Sequence, residues 1–315
     1  MRHVALGKTG VQVSALGFGC MSLTPEKAAA GKAAVQRAYE LGITFYDTAD
    51  VYSQGQSEVI LGQALREAGI AREQVVIASK CGIVFLGINP DYAYKAYDLS
   101  ATYIKRSCEA SLKRLGYEYI DLYQPHRIDY LTHPEEVARA LEDLVAEGKI
   151  RYAGVSNYTA DEIRALSAYV RLESLQTQYN LLFLEPLETG LLAVTQEKGM
   201  SVLCWSPLQQ GMLTGKASPA HANWQAQRDE GVVAQLRPFA QAYGVTVGQL
   251  ALAWLMQQPG PVIPLLGTAN AEHVAEAVGA VDVRLERDDW YELTVIARGR
   301  PMPWGQRPYV YVKER

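Results

Sequence analysis

GITFYDTADVYSQGQSE, residues 42–58, is the stretch from which the fold is read. Ile43, Thr44, Phe45 and Tyr46 are the β-favouring residues of a short strand, and Asp47 stops that run with a charge. Tyr52 lies in the loop that follows, and Ser57-Glu58 opens a helical pattern. A carboxylate at the tip of an apolar strand is costly unless a cation or hydrogen bonds receive it. A second strand over 74–79 (QVVIAS) ends in Lys80, and a third over 119–124 (YIDLYQ) runs into Pro125 and His126. Three consecutive strands thus deliver Asp47, Lys80 and His126 at their C-terminal ends.

Outward from this stretch the same alternation continues. Residues 3–16 form a hairpin turning at Gly7-Lys8-Thr9-Gly10, and a strand over 15–19 follows. Thr24-Pro25 reads as an N-cap with proline at the first helical position, opening a helix that stops at Gly42. Ser100 caps a helix with Ile104, Cys108, Leu112 and Leu115 on one face. The fifth strand covers 150–156, and Thr159 with Glu162 makes a capping box. Strands over 172–176, 201–205 and 261–264 alternate with helices over 187–197, 232–243 and 247–256. Asn270 opens the eighth helix, and 288–297 is an extra one. Eight strand–helix alternations with no break in composition predict an α/β fold, a (β/α)8 TIM barrel with an N-terminal β-hairpin and long βα loops at 81–99 and 206–231. Residues 1–315 are read as a single barrel domain, with the strand C-termini as the active face.

Composition excludes several classes. With 315 residues, 49% hydrophobic content and a net charge of −4, the chain can bury a large core and offers no nucleic-acid footprint. The longest apolar run, 250–256, is too short to cross a bilayer, and MRHVALGKTG lacks a signal core. No membrane partner is expected. Cys20, Cys81, Cys108 and Cys204 are scattered without metal-ligand spacing, which predicts reduced thiols, a cytoplasmic protein and no metal site.

Alone, a strand-end Asp and Lys are better explained by a structural ion pair. Tyr52 and His126 on neighbouring strands turn the pair into a chemical set. A phenol with a pKa of about 10 exchanges protons poorly near neutrality. An ammonium beside it favours the phenolate, a carboxylate keeps the ammonium charged, and a histidine orients a substrate oxygen. Such a set donates a proton to a carbonyl that receives a hydride.

FYDTADVY, ASKCG, DLYQPH, GVSNY, QTQYN and CWSPL, in this order and spacing, resemble the aldo-keto reductase superfamily across nearly the whole chain. The resemblance implies an oxidoreductase that reduces aldehydes or ketones with NAD(P)H. Tyr52 is then the proton donor, Lys80 its neighbour, Asp47 the lysine's partner and His126 the orienting residue. It also implies that Ser156, Asn157 and Gln176 hold the nicotinamide carboxamide and that Trp205 stacks on the ring. Asp47, Gly19, Cys20 and Met21 lie beside the cofactor, and Ser206, Pro207, Leu208, Gly211, Leu213 and Lys216 form a loop over the pyrophosphate. Gly267, Thr268, Asn270, His273 and Glu276 meet the adenosine end. Read without the resemblance, Ser156-Asn157 is ordinary turn chemistry and Trp205 core, while Lys216 reads equally as a charge over a pyrophosphate and as a solvated lysine.

At the adenosine end many family members have a cationic or hydroxyl residue where Ala269 stands, and asparagine where Ala277 stands. NADP(H) is the family habit and NAD(H) stays open. Met21, Val51, Phe85, Tyr92, Tyr94 and Trp304 are candidate substrate walls. Three rivals remain: a cofactor-binding regulatory subunit of the same fold with little turnover, a Schiff-base lyase using Lys80, and a metal-dependent hydrolase. The Asp47–Lys80 pairing opposes the lyase, which needs a neutral lysine.

Overall fold

The computed structural model describes residues 1–85, 95–215 and 224–302. Strands β1 (His3–Ala5) and β2 (Gln12–Ser14) pair antiparallel. The barrel staves are β3 (Gly17–Gly19), β4 (Phe45–Asp47), β5 (Val76–Cys81), β8 (Ile120–Pro125), β9 (Ile150–Ala153), β10 (Val155–Ser156), β11 (Ser174–Gln178), β12 (Ser201–Trp205) and β13 (Val262–Leu266). A small antiparallel ribbon of β6 (Ile83–Val84) and β7 (Ala96–Tyr97) rises above β5. The sheet runs β10-β11-β12-β13-β3-β4-β5-β8-β9, every pair parallel.

Its two end strands, β9 and β10, are one segment interrupted at Gly154, so the sheet closes into an eight-stave barrel. Gly154 donates its N–H to the Tyr123 carbonyl, and the next amides turn to β11. A Cβ there would clash with Ser174 Oγ, so a side chain is excluded where the stave changes partner.

Helices α1 (Ala28–Glu40), α2 (Gln56–Glu67), α3 (Ala101–Leu115), α4 (Pro134–Ala146), α5 (Ala160–Leu166), α6 (Glu185–Glu188), α7 (Leu191–Lys198), α8 (Trp224–Ala242), α9 (Val247–Met256), α10 (Ala271–Val278) and α11 (Arg287–Arg298) follow in chain order. Several expected signals act as read. Ser100 accepts from the Tyr103 amide, Thr159 and Glu162 form a reciprocal capping box, and Asn270 accepts from the Glu272 amide.

Other boundaries move. Thr24 makes no cap bond; Pro25–Lys27 forms a 3-10 turn before α1 begins at Ala28. The sixth strand sits at Ser174–Gln178 rather than 172–176, because Gln178 pairs with Trp205. The helix expected over 187–197 is split by Gly190, whose φ of 81° is left-handed. The helix expected over 232–243 starts at Trp224. Lys80 lies inside its strand, since Lys80 and Cys81 pair with Gln124 and Pro125.

Alternation along the staves separates two cores. Phe45, Ala78, Leu122, Leu203, Ile263 and Leu265 pack inside the barrel, with Leu6 and Val13 of the hairpin closing its N-terminal end. Tyr46, Ile77 and Tyr123 point outward to the helices.

Candidate active site

The inward rows that fill the barrel with apolar side chains end, two residues on, in polar ones. Phe45 is followed by Asp47, Ala78 by Lys80, Leu122 by Gln124 and then His126. Likewise Ser174 is followed by Gln176, and Leu203 by Trp205. A single period of two thus carries the barrel from core to site. Lys80 is wholly buried, and its Nζ donates to Asp47 Oδ2 at 2.8 Å, to the Thr48 carbonyl at 2.7 Å and to Tyr52 Oη at 3.3 Å. All three ammonium protons therefore have acceptors. Asp47 Oδ1 accepts from Gln176 Nε2 at 2.7 Å. The Tyr52 ring meets the His126 imidazole edge-on, with centroids 5.9 Å apart.

Strained backbone presents these groups. Ser53 and Gln54, directly after Tyr52, have φ of 48° and 55°. The other described non-glycine residues with left-handed backbone are Asn157, Ser206, Gln209 and Gln210, all on loops after strand C-termini. Strain of order 1–3 kcal/mol each, confined to one face of the barrel, marks a site rather than the scaffold.

Electrostatics sets the protonation states. Burial works against the Lys80 charge, but Asp47 and Tyr52 outweigh it and raise its pKa above that of an ordinary lysine. Burial likewise raises Asp47, partly offset by Lys80 and Gln176. Tyr52 differs from expectation: burial pushes the phenol above its usual value, Lys80 pulls it down, and Asp47 adds to the rise. The lysine acts in the expected direction but does not win, so the phenol holds its proton. His126 falls well below an ordinary histidine through burial and the positive charges of Lys80, Arg127 and Lys95, so it is neutral. Its buried Nδ1 has no hydrogen-bond partner among the described residues.

These groups open into a cavity of about 880 Å³ that runs from Tyr52 and His126 past Trp205 to α10. On its wall, Trp205 Nε1 donates to Asn157 Oδ1 at 2.9 Å, while Asn157 Nδ2 donates to the His126 carbonyl and to Ser156 Oγ. Asn157 is thus a brace between the imidazole and the indole. Gln176 also lines the cavity, with only its Nε2 taken up by Asp47. A flat indole flanked by carboxamides fits a planar amide-bearing ring.

Of the residues expected around a cofactor, Gly19, Met21, Asp47, Asn157, Gln176, Trp205, Ser206, Pro207, Leu208, Gly211, Gly267, Thr268, His273 and Glu276 line this cavity. Cys20 and Ser156 are fully buried behind it, and Leu213 packs into the core of α8 and α9. Asn270 is spent capping α10. Val51 and Phe85 are half-buried outside the lining. Tyr92, Tyr94, Lys216 and Trp304 lie outside the described residues.

Sequence reading missed Arg127, Gly248, Gln249 and Leu252, while Gln210 and Thr214 fall within the loop expected over the pyrophosphate. Arg127 was discoverable, since it follows His126 at a strand end. Gly248, Gln249 and Leu252 were not, because α9 contributes one helix face that no strand-end rule reaches.

The sequence profile of the Aldo/keto reductase family matches residues 15–298. The chain is 38% identical over 308 residues to the 6-dehydroglucose reductase of Novosphingobium aromaticivorans, covering 95% of this chain and 96% of that one. It is 32% identical over 293 residues to the Schizosaccharomyces pombe protein named aldo-keto reductase yakc [NADP(+)], covering 87% and 85%. Among solved structures, the thermostable aldo-keto reductase Tm1743, crystallised with the inhibitor epalrestat, superposes with a TM-score of 0.78 at 28% identity. That match covers 94% of this chain and all of the other.

Proposed function

We propose, from the premise that this chain belongs to the aldo/keto reductase family, that it is an NAD(P)H-dependent reductase turning aldehydes or ketones into alcohols, with Tyr52 as the proton donor. When bound, the nicotinamide supplies the hydride. The chain's own residues do the rest. Tyr52 Oη gives its proton to the carbonyl oxygen as that oxygen gains charge, and the Lys80 ammonium at 3.3 Å stabilises the phenolate left behind. Asp47 keeps Lys80 charged in a buried setting. The neutral His126 imidazole orients the carbonyl oxygen without competing for the proton. Asn157, Gln176 and Trp205 hold the ring and its carboxamide, with Asn157 also bracing His126.

NADP(H) is the favoured cofactor, supported by the printed name of the S. pombe relative. The whole site is carried by one barrel domain, in a cytoplasmic protein whose four thiols are free and buried. Among the described residues no helix is long and apolar enough to cross a membrane. The observation that carries the reading is the Lys80 ammonium shared by Asp47 and Tyr52. A structural ion pair alone does not call for a phenol within reach of that ammonium.

The test is cofactor oxidation against a panel of aldehydes and ketones, with Tyr52→Phe beside the parent protein. Turnover falls by a factor of about 10²–10⁴ in the variant while its cofactor affinity stays the same. Undiminished turnover in Tyr52→Phe refutes the role.

A further inference from the structure

The reductase reading leaves one part of the cavity unused, the mouth beside His126. Arg127 follows His126 directly after β8, is exposed, and lines the cavity with Tyr52 and His126. Among the described residues its guanidinium makes no ion pair. Lys95, exposed and just ahead of β7, is unpaired in the same sense, and both charges are felt at the imidazole. They rise from the loops after β5 and β8, two adjacent staves.

The nearby carboxylates form no ion pair with Arg127 or Lys95 among the described residues and accept hydrogen bonds from other groups. Asp129 Oδ2 accepts from the Leu99 amide and Thr132 Oγ1, and its Oδ1 accepts from the Leu131 amide. Asp98 Oδ1 accepts from the Ser100 amide. Asp47, inside the cavity, is bound by Lys80 and Gln176. Two cations held at one edge of a cleft raise the local potential for an incoming anion.

We propose that the substrate is a carbonyl compound carrying an anionic group, carboxylate or phosphate, which Arg127 grips at the mouth while the carbonyl oxygen reaches Tyr52 and His126. Lys95 adds to the attraction without a fixed contact. The planar guanidinium fork suits both anions and gives them two parallel bonds. This inference rests on the reductase reading, since it assigns the substrate of that same site. A rim arginine that is merely solvated is the competing account, and it predicts no discrimination.

The experiment compares matched pairs on the NADPH-loaded protein: para-carboxybenzaldehyde with benzaldehyde, and glyceraldehyde phosphate with glyceraldehyde. At low salt the anionic member of at least one pair has the higher kcat/KM, by about tenfold, the difference lying in KM. Which pair shows it distinguishes carboxylate from phosphate. The ratio collapses towards one in Arg127→Gln, survives in part in Arg127→Lys, falls two- to threefold or so in Lys95→Gln, and shrinks as salt is added. Independently of turnover, terephthalate quenches tryptophan fluorescence of the loaded protein with an affinity about tenfold weaker in Arg127→Gln. Equal use of neutral and anionic aldehydes, with terephthalate binding untouched by Arg127→Gln, overturns the proposal and leaves the reductase reading standing. Cofactor consumption with no aldehyde of either kind overturns both.

Discussion

Behind Tyr52 the charged pair Asp47 and Lys80 is buried and cross-bonded, whereas at the α10 end the side chains are small or exposed. Lys80 has no solvent contact and spends all three donors inside the protein. By contrast Thr268, His273 and Glu276 stand at the surface, and Ala269 and Ala277 offer no functional group. Under the proposed reaction, charge develops at one end and merely needs holding at the other. Preorganised dipoles in a dry site cost no reorganisation when the reaction occurs, so the first end repays a buried ion pair. The second need only bind, and backbone and surface groups suffice.

The comparison breaks most visibly if Lys80→Met is tolerated. That change leaves the Asp47 carboxylate buried without its cation, so unfolding in denaturant should show a loss of about 3–5 kcal/mol together with lost turnover. Glu276→Gln at the far end should stay within about 0.5 kcal/mol of the parent. Equal effects at the two ends would erase the distinction.

A second test uses Asp50, which is buried behind Lys80 and donates its backbone N–H to the Lys80 carbonyl. Burial and the neighbouring Glu58 push its carboxyl up to about 7, against the bond from Ser107 and the charge of Arg114. Because the folded-state pKa lies above the unfolded one, the folded protein holds the extra proton between pH of about 4 and 7. Stability therefore falls as pH rises through that window. In Asp50→Asn, melting temperatures between those limits should lose that slope, an effect on the order of a few kcal/mol. A slope that persists unchanged in the variant assigns it to another group.

The smallest expected change sharpens the far end. Ala269→Arg supplies a guanidinium at the position where the family resemblance implies a cationic or hydroxyl residue. It should raise affinity for NADPH over NADH by about tenfold, read by fluorescence titration. An unchanged ratio would show that position 269 does not face the adenosine phosphate.

Much of this was legible in the residues. Strand ends carrying Asp47, Lys80 and His126 gave both the barrel and the face onto which the cavity opens, because side chains two apart share one side of a stave. Ser100, Thr159 and Asn270 announced their helices through hydrogen bonds that reach only two or three residues. Boundaries set by pairing were not legible: Lys80 stays in its strand because Gln124 lies opposite, and Gly154 breaks the fifth stave because Ser174 leaves no room for a side chain. The net pKa of Tyr52 was misjudged for a similar reason, since a nearby ammonium is visible in sequence but the burial that outweighs it is not.

The chain by itself determined which groups are on offer and which end of the barrel presents them, since both follow from local periodicity and residue chemistry. Only the tertiary structure decided which of them meet. Gln176 reaches Asp47 across 129 positions of sequence, Trp205 reaches Asn157 across 48, and α9 lends a wall to the cavity. Such contacts depend on the closure of the sheet, and no short-range pattern encodes where a closed sheet brings its ends together.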